Sequence, residues 1–148
     1  MATTTILCAA YGGGHVNACA PVAGELARRG WSVHFLALTT AYGKVAGGPF
    51  PVLQARDLIG DADADIIAHG SRLAGDTPEG GPVSRDESVA YHGLGYHDLV
   101  LTHGEERAAA LYEAEGRAAF EHGELARRAI DLIGPDIVLT TNSPRAEK

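Results

Sequence analysis

The sequence predicts an α/β protein, a Rossmann-like open parallel sheet with helices on both faces. Three observations predict it. An apolar run, "ILCAA", leads through Tyr11 into Gly12, Gly13 and Gly14 and then into a helical repeat. A second apolar run follows that repeat after a short connection, and strand, helix and strand joined this way form a right-handed parallel crossover. Near the far end, Gly134 and Pro135 stop a helical pattern and "DIVLTT" begins another apolar run. The 148 residues fit one domain, and 45% apolar composition is enough to build a core.

Residues 3–9 read as the first strand, short, apolar and ended by glycine. Residues 16–29 read as a helix, with Val16, Ala20, Ala23 and Ala27 on one face and Gly30 as its stop. Pro21 removes a helix hydrogen bond there, which predicts a kink or a late start to the regular part. Residues 31–40 form a second strand and 50–55 a short third one. Residues 56–85 are polar and rich in Gly, Asp and Pro, with one short helix at about 65–73. From 86 to 133 the chain reads as mostly helical, since Leu111, Ala118, Leu125, Ala126, Ile130 and Ile133 recur at helical spacing. "HDLVLTHG" (97–104) resembles a strand, but its helical surroundings assign it to helix. Residues 136–141 are the next strand, and Ser143 with Pro144 has the cap and first-turn chemistry of another helix.

The whole is read as a single domain over residues 1–148, with 57–103 as a loop and helix insertion within it. Because the sequence ends just past the start of that last helix, the expectation is an incomplete N-terminal domain. Apolar surface should then stay exposed near 136–141 and favour self-association.

Composition narrows the function. A net charge of −7 argues against nucleic acid, which asks for a basic face. No apolar run approaches the ~20 residues of a membrane span, and "MATTTILCAA" lacks the basic start of a secretory signal. Cys8 and Cys19 fit buried, reduced thiols in a cytoplasmic protein. His92, His97 and His103 are spaced by five and six, which scatters them around a helix and argues against a metal site. "DADAD" (61–65) imitates a calcium loop, but Ile66 and Arg72 occupy the positions that need Gly and Glu. No metal is expected.

The glycine turn is the chemical centre of the sequence. A turn between a strand's carboxyl end and a helix exposes unpaired N–H groups to an anion or polar ligand. A dinucleotide is disfavoured: Asn17 replaces the third glycine, and the second strand ends in Leu38, Thr39 and Thr40 without an acid for the ribose. At a stretch, Lys44 serves a ribose phosphate. His15 either caps the turn or works as a base, since an imidazole titrates near neutrality. Thr141, Asn142, Ser143 and Arg145 follow the last strand, on the same sheet edge as the glycines, where α/β ligands collect.

The run "GGGHVN" followed by "PVAGELARRGWSVHFLAL" resembles the N-terminal, acceptor-side domain of GT-B glycosyltransferases. Gly14, His15, Val16 and Asn17 match the family's glycine-histidine turn; Ala18 stands where the family writes proline, with Pro21 three residues later. "GPDIVLTTNSPRAEK" is similar to a later strand-turn-helix of such enzymes and of the related UDP-N-acetylglucosamine 2-epimerases. The resemblance implies transfer of a sugar from a nucleotide-sugar donor to a hydroxyl acceptor, with His15 as general base. It implies substrate contacts from Gly12, Gly13, Gly14, Asn17, Thr141, Asn142, Ser143 and Arg145. The donor, a UDP-sugar, would be held mainly by a C-terminal domain beyond these residues, so no cofactor is expected in this chain and no activity from it alone. An epimerase of the same architecture and a non-catalytic module binding a nucleotide or metabolite are the alternatives.

Overall fold

A computed structural model of the chain describes residues 2–76 and 80–141. The fold is α/β, with a four-stranded, all-parallel sheet flanked by helices. Along the chain run β1 (Thr5–Ala10), α1 (Gly14–Arg28), β2 (Ser32–Ala37), α2 (Tyr42–Val45) and β3 (Val52–Leu53). Then come α3 (Ala64–Leu73), α4 (Arg85–His103), α5 (Glu105–Glu115), α6 (Gly123–Ile133) and β4 (Ile137–Thr140). Short 3₁₀ turns occupy Thr39–Ala41, Ala55–Leu58 and Gly116–Ala119. The chain divides into two compact units, one built from residues up to Gln54 together with those from Ile130 onward, the other from Ala55–Ala129.

The first unit holds the sheet, ordered β3-β2-β1-β4. β1 pairs on both sides, Cys8 opposite Phe35 of β2 and opposite Leu139 of β4. An inner parallel strand is covered on both faces, which is why its sequence is a continuous apolar run. Ile6, Cys8 and Ala10 alternate onto one face with Val33, Phe35 and Ala37, and pack with Val16, Cys19 and Ala23 of α1. Leu7 and Leu36, of opposite parity, are buried as well. Phe35 is fully enclosed and stacks on Phe50 with ring centroids 5.4 Å apart. β4 is an edge strand, and Ile137 and Val138 on it are about half exposed (46% and 48%), so the apolar surface anticipated there is present.

Several boundaries differ from the sequence reading for identifiable reasons. α1 begins at Gly14 rather than Val16 and passes through Pro21 without ending. β2 stops at Ala37, because Thr39 takes a left-handed backbone (φ 53°) that turns the chain. β3 keeps only two paired residues, Val52 and Leu53. The long helical stretch is broken at Gly104 and Gly116, both at positive φ (81° and 59°), which splits it into α4, α5 and α6. Residues 97–104 are helical up to His103, within α4.

The second unit is helical. α3 and α4 pack so closely that a side chain at Gly70 would strike the Val89 carbonyl, and one at Gly93 the Ile66 carbonyl. Its buried polar groups serve the backbone. Glu87 is fully buried and accepts from the N–H groups of Ala55 and Arg56, both at 2.9 Å. Burial raises its pKa and those two bonds oppose the rise. Asp98 accepts from the N–H groups of Gly123 and Glu124 (3.1 and 3.2 Å), the first amides of α6. Asp98→Ala leaves these helix-end donors without a carboxylate and is expected to cost about 1–2 kcal/mol. Urea titration checks this; an unmoved midpoint would show that water satisfies the amides equally well.

Candidate functional site

The site is built where β1 hands over to α1, and each glycine of the turn has its own reason. A side chain at Gly12 would collide with the Thr40 hydroxyl, so the turn can lie against the 3₁₀ turn that follows β2 only without one. Gly13 adopts φ 70°, ψ −135°, a backbone region essentially reserved for glycine. Gly14 meets no such constraint, and it leaves the start of α1 bare. Gly13 and Gly14 are exposed. The chain closes back through Val16 N–H to Tyr11 O (3.1 Å) and Asn17 N–H to Gly13 O (3.4 Å). The helix therefore starts with open amides at the carboxyl edge of the sheet, a position that favours anionic or polar groups.

His15 lies in the first turn of α1 and is half-buried. Its Nδ1 shares a hydrogen bond of 2.7 Å with Thr141 Oγ1, across 126 residues of sequence. Parallel pairing brings them together: Ala9 lies opposite Thr140, so the residue after Thr140 emerges beside the end of β1. Tyr11 sets its ring edge-on to the imidazole, with centroids 6.4 Å apart. Cys19 lies one turn along α1 from His15. Burial pushes the Cys19 thiol up, against a weaker downward pull from the Thr141 side chain. Cys8, deeper on β1, is pushed up to about 11 by burial and by its neighbour Cys19. Both cysteines are buried thiols, and protonated sulfur in such surroundings is a poor nucleophile.

Of the residues the sequence singled out, Gly12, Gly13, Gly14, His15 and Thr141 come together at this edge. Asn17 is exposed on α1, where its Oδ1 accepts from Lys44 Nζ at 3.4 Å. Asn142, Ser143 and Arg145 lie outside the described residues. Lys44 also borders a shallow groove of about 340 Å³ with Ala20, Gly24 and Phe50, which includes neither His15 nor the three glycines. Cys19 and Tyr11 were missed as neighbours of His15. The i, i+4 spacing of His15 and Cys19 was the available signal for the first.

Among the described residues no three His, Cys, Asp or Glu side chains converge on a possible metal position, and no helix is long and apolar enough to cross a membrane. No protein-family model, curated protein or solved structure matches the chain.

Proposed function

We propose that this chain is the acceptor-side domain of a cytoplasmic glycosyltransferase, with His15 as the general base. The observation that carries the reading is the placement of His15 at the carboxyl edge of a parallel sheet, Nδ1 held by Thr141 and ring beside an open glycine turn. In the proposed reaction the acceptor hydroxyl gives its proton to His15 Nε2 as its oxygen bonds to the anomeric carbon of the donor. The bond from that carbon to the nucleoside diphosphate breaks, and the diphosphate leaves with the electron pair. The bare amides of Gly13 and Gly14 bind polar groups of the acceptor. The GT-B resemblance assigns the nucleotide sugar to a further domain.

The test pairs binding with chemistry. An amide NMR titration of the chain with sugar acceptors and UDP-sugars should shift Gly12, Gly13, Gly14 and His15 with an acceptor, and leave them nearly unmoved with the donor. Joined to a donor-binding domain, the chain should yield a glycoside and free nucleoside diphosphate by mass spectrometry. Tight UDP-sugar binding by these residues alone would favour a nucleotide-binding module, and a C2-epimerised sugar would favour the epimerase.

A further inference from the structure

We propose that Thr40 is a specificity-determining residue of the His15 edge, its hydroxyl binding a hydroxyl group of a polyhydroxylated acceptor such as a hexopyranose. This role deepens the acceptor-side reading and rests on it for the reaction; the placement of Thr40 stands on the fold alone. In the sheet, β1 lies between β2 and β4. Ligands of open parallel sheets collect outside the carboxyl ends of the strands. Thr141 follows β4 on one side of the glycine turn, and Thr40 follows β2 on the other, with Ala37 opposite Ala10. A Cβ built on Gly12 would fall on the Thr40 hydroxyl oxygen, so that oxygen lies directly against the turn.

The backbone around Thr40 is held in a costly form. Thr39 adopts φ 53°, a left-handed conformation that a β-branched residue rarely takes. Such strain persists only where the flanking structure over-determines it, and it gathers at functional sites. Here the flanks are firm. Leu38 is buried and its N–H donates to Ala10 O at 3.0 Å. Ala41 is fully buried and its N–H donates to Leu38 O at 3.1 Å. Between these anchors Thr40 is exposed, and its hydroxyl has no hydrogen-bond partner among the described residues. The group is therefore placed at the site and left uncommitted by the fold. A hydroxyl donates one hydrogen and accepts through its lone pairs, so it pairs with a sugar hydroxyl in either sense. It carries no charge to match a phosphate, and Lys44, four residues on, turns to Asn17 Oδ1. A neutral polyhydroxylated ligand is the better fit.

The test is an amide NMR titration of the 148-residue chain with methyl hexopyranosides, their monodeoxy derivatives, cyclohexanol and UDP. A hexopyranoside is expected to shift Thr40 together with Gly12, Gly13, Gly14 and His15, while cyclohexanol leaves Thr40 unmoved. Thr40→Val should weaken that binding by about three- to tenfold, the worth of one neutral hydrogen bond, and Thr40→Ser should restore it. One monodeoxy derivative should bind the unaltered chain with the same loss, and lose nothing further against Thr40→Val. Equal affinity of the hexopyranosides for the unaltered chain and for Thr40→Val overturns the proposal. So does a panel in which no hexopyranoside shifts Thr40, or one in which UDP alone does. If Thr40→Val does not fold, Thr40→Ala and the monodeoxy series decide by the same comparison. Thr40-dependent hexopyranoside binding in a protein that transfers no sugar would fail the glycosyltransferase reading and leave this one standing. Sugar transfer at an unchanged kcat/KM in Thr40→Val would do the reverse.

Discussion

Replacing His15 by alanine is expected to lower glycosyl-transfer turnover by about 10²–10⁴, the usual worth of a positioned general base, or roughly 3–5 kcal/mol of barrier. The effect should fall on kcat at saturating donor, because the proposed role is proton abstraction from the acceptor and not capture of the nucleotide sugar. His15→Gln separates this role from a structural one. Glutamine retains a donor for Thr141 and much of the ring's volume, but it has no basic nitrogen. Turnover of the glutamine variant should fall as far as that of alanine. Should glutamine restore it, His15 acts by capping the turn and bonding Thr141. The measurement requires the chain joined to a donor-binding domain, with product formation followed under saturating UDP-sugar.

How much of this site was legible beforehand depends on the range of the interaction. The turn itself was legible, because Gly12, Gly13 and Gly14 break an apolar strand and the backbone at Gly13 does need glycine. The parallel order was legible from the short crossover between β1 and β2. The partner of His15 was not, since it depends on β4 pairing with β1 in one register across more than a hundred residues. Thr141 was placed at the carboxyl edge of the sheet as a substrate contact, and its hydroxyl bonds the His15 ring there. Helix ends failed where local rules conflict. Gly14 is a poor helix residue, yet it lies in the first turn where little is lost. Pro21 is tolerated on an exposed face, and apolar periodicity alone gave no sign of the breaks at Gly104 and Gly116. The clamp from Glu87 to the amides of Ala55 and Arg56 spans about thirty residues, and no local pattern announces it.

The helical unit should lose stability in acid in two stages, and His122 should set the first. Burial pushes the His122 pKa down to about 4, against the weaker opposing pull of Asp98. An unfolded chain returns that imidazole to the ordinary value of 6.5. Between these values the unfolded state binds the extra proton, so stability is fully present above about pH 6.5 and falls as the pH drops toward 4. At 1.36 kcal/mol per unit the shift amounts to about 3 kcal/mol, a large part of the margin of a small domain. His92 and His69 are shifted down as well, chiefly by burial, and lean the same way. Below that window the carboxylates follow. Asp63 makes a two-point pair with Arg128 at 2.9 Å, and the hydrogen bond from that guanidinium holds its carboxyl at about 2. Glu124, bonded by Arg127 and Arg128, is also held at about 2. Both are depressed below the ordinary carboxylate range, so their contribution is present above about pH 4.5 and disappears as the pH falls toward 2. Solvent screening limits each pair to about 1 kcal/mol. Urea unfolding at pH 7, 5.5, 4.5 and 3 measures both stages. His122→Asn is the decisive variant, because His122 sits at φ 60°, a conformation asparagine accepts readily and without a titrating group. Its stability should be markedly flatter between pH 7 and 4.5 while the carboxylate stage persists. An equal slope in both proteins would assign the first stage to other groups and remove His122 from the account.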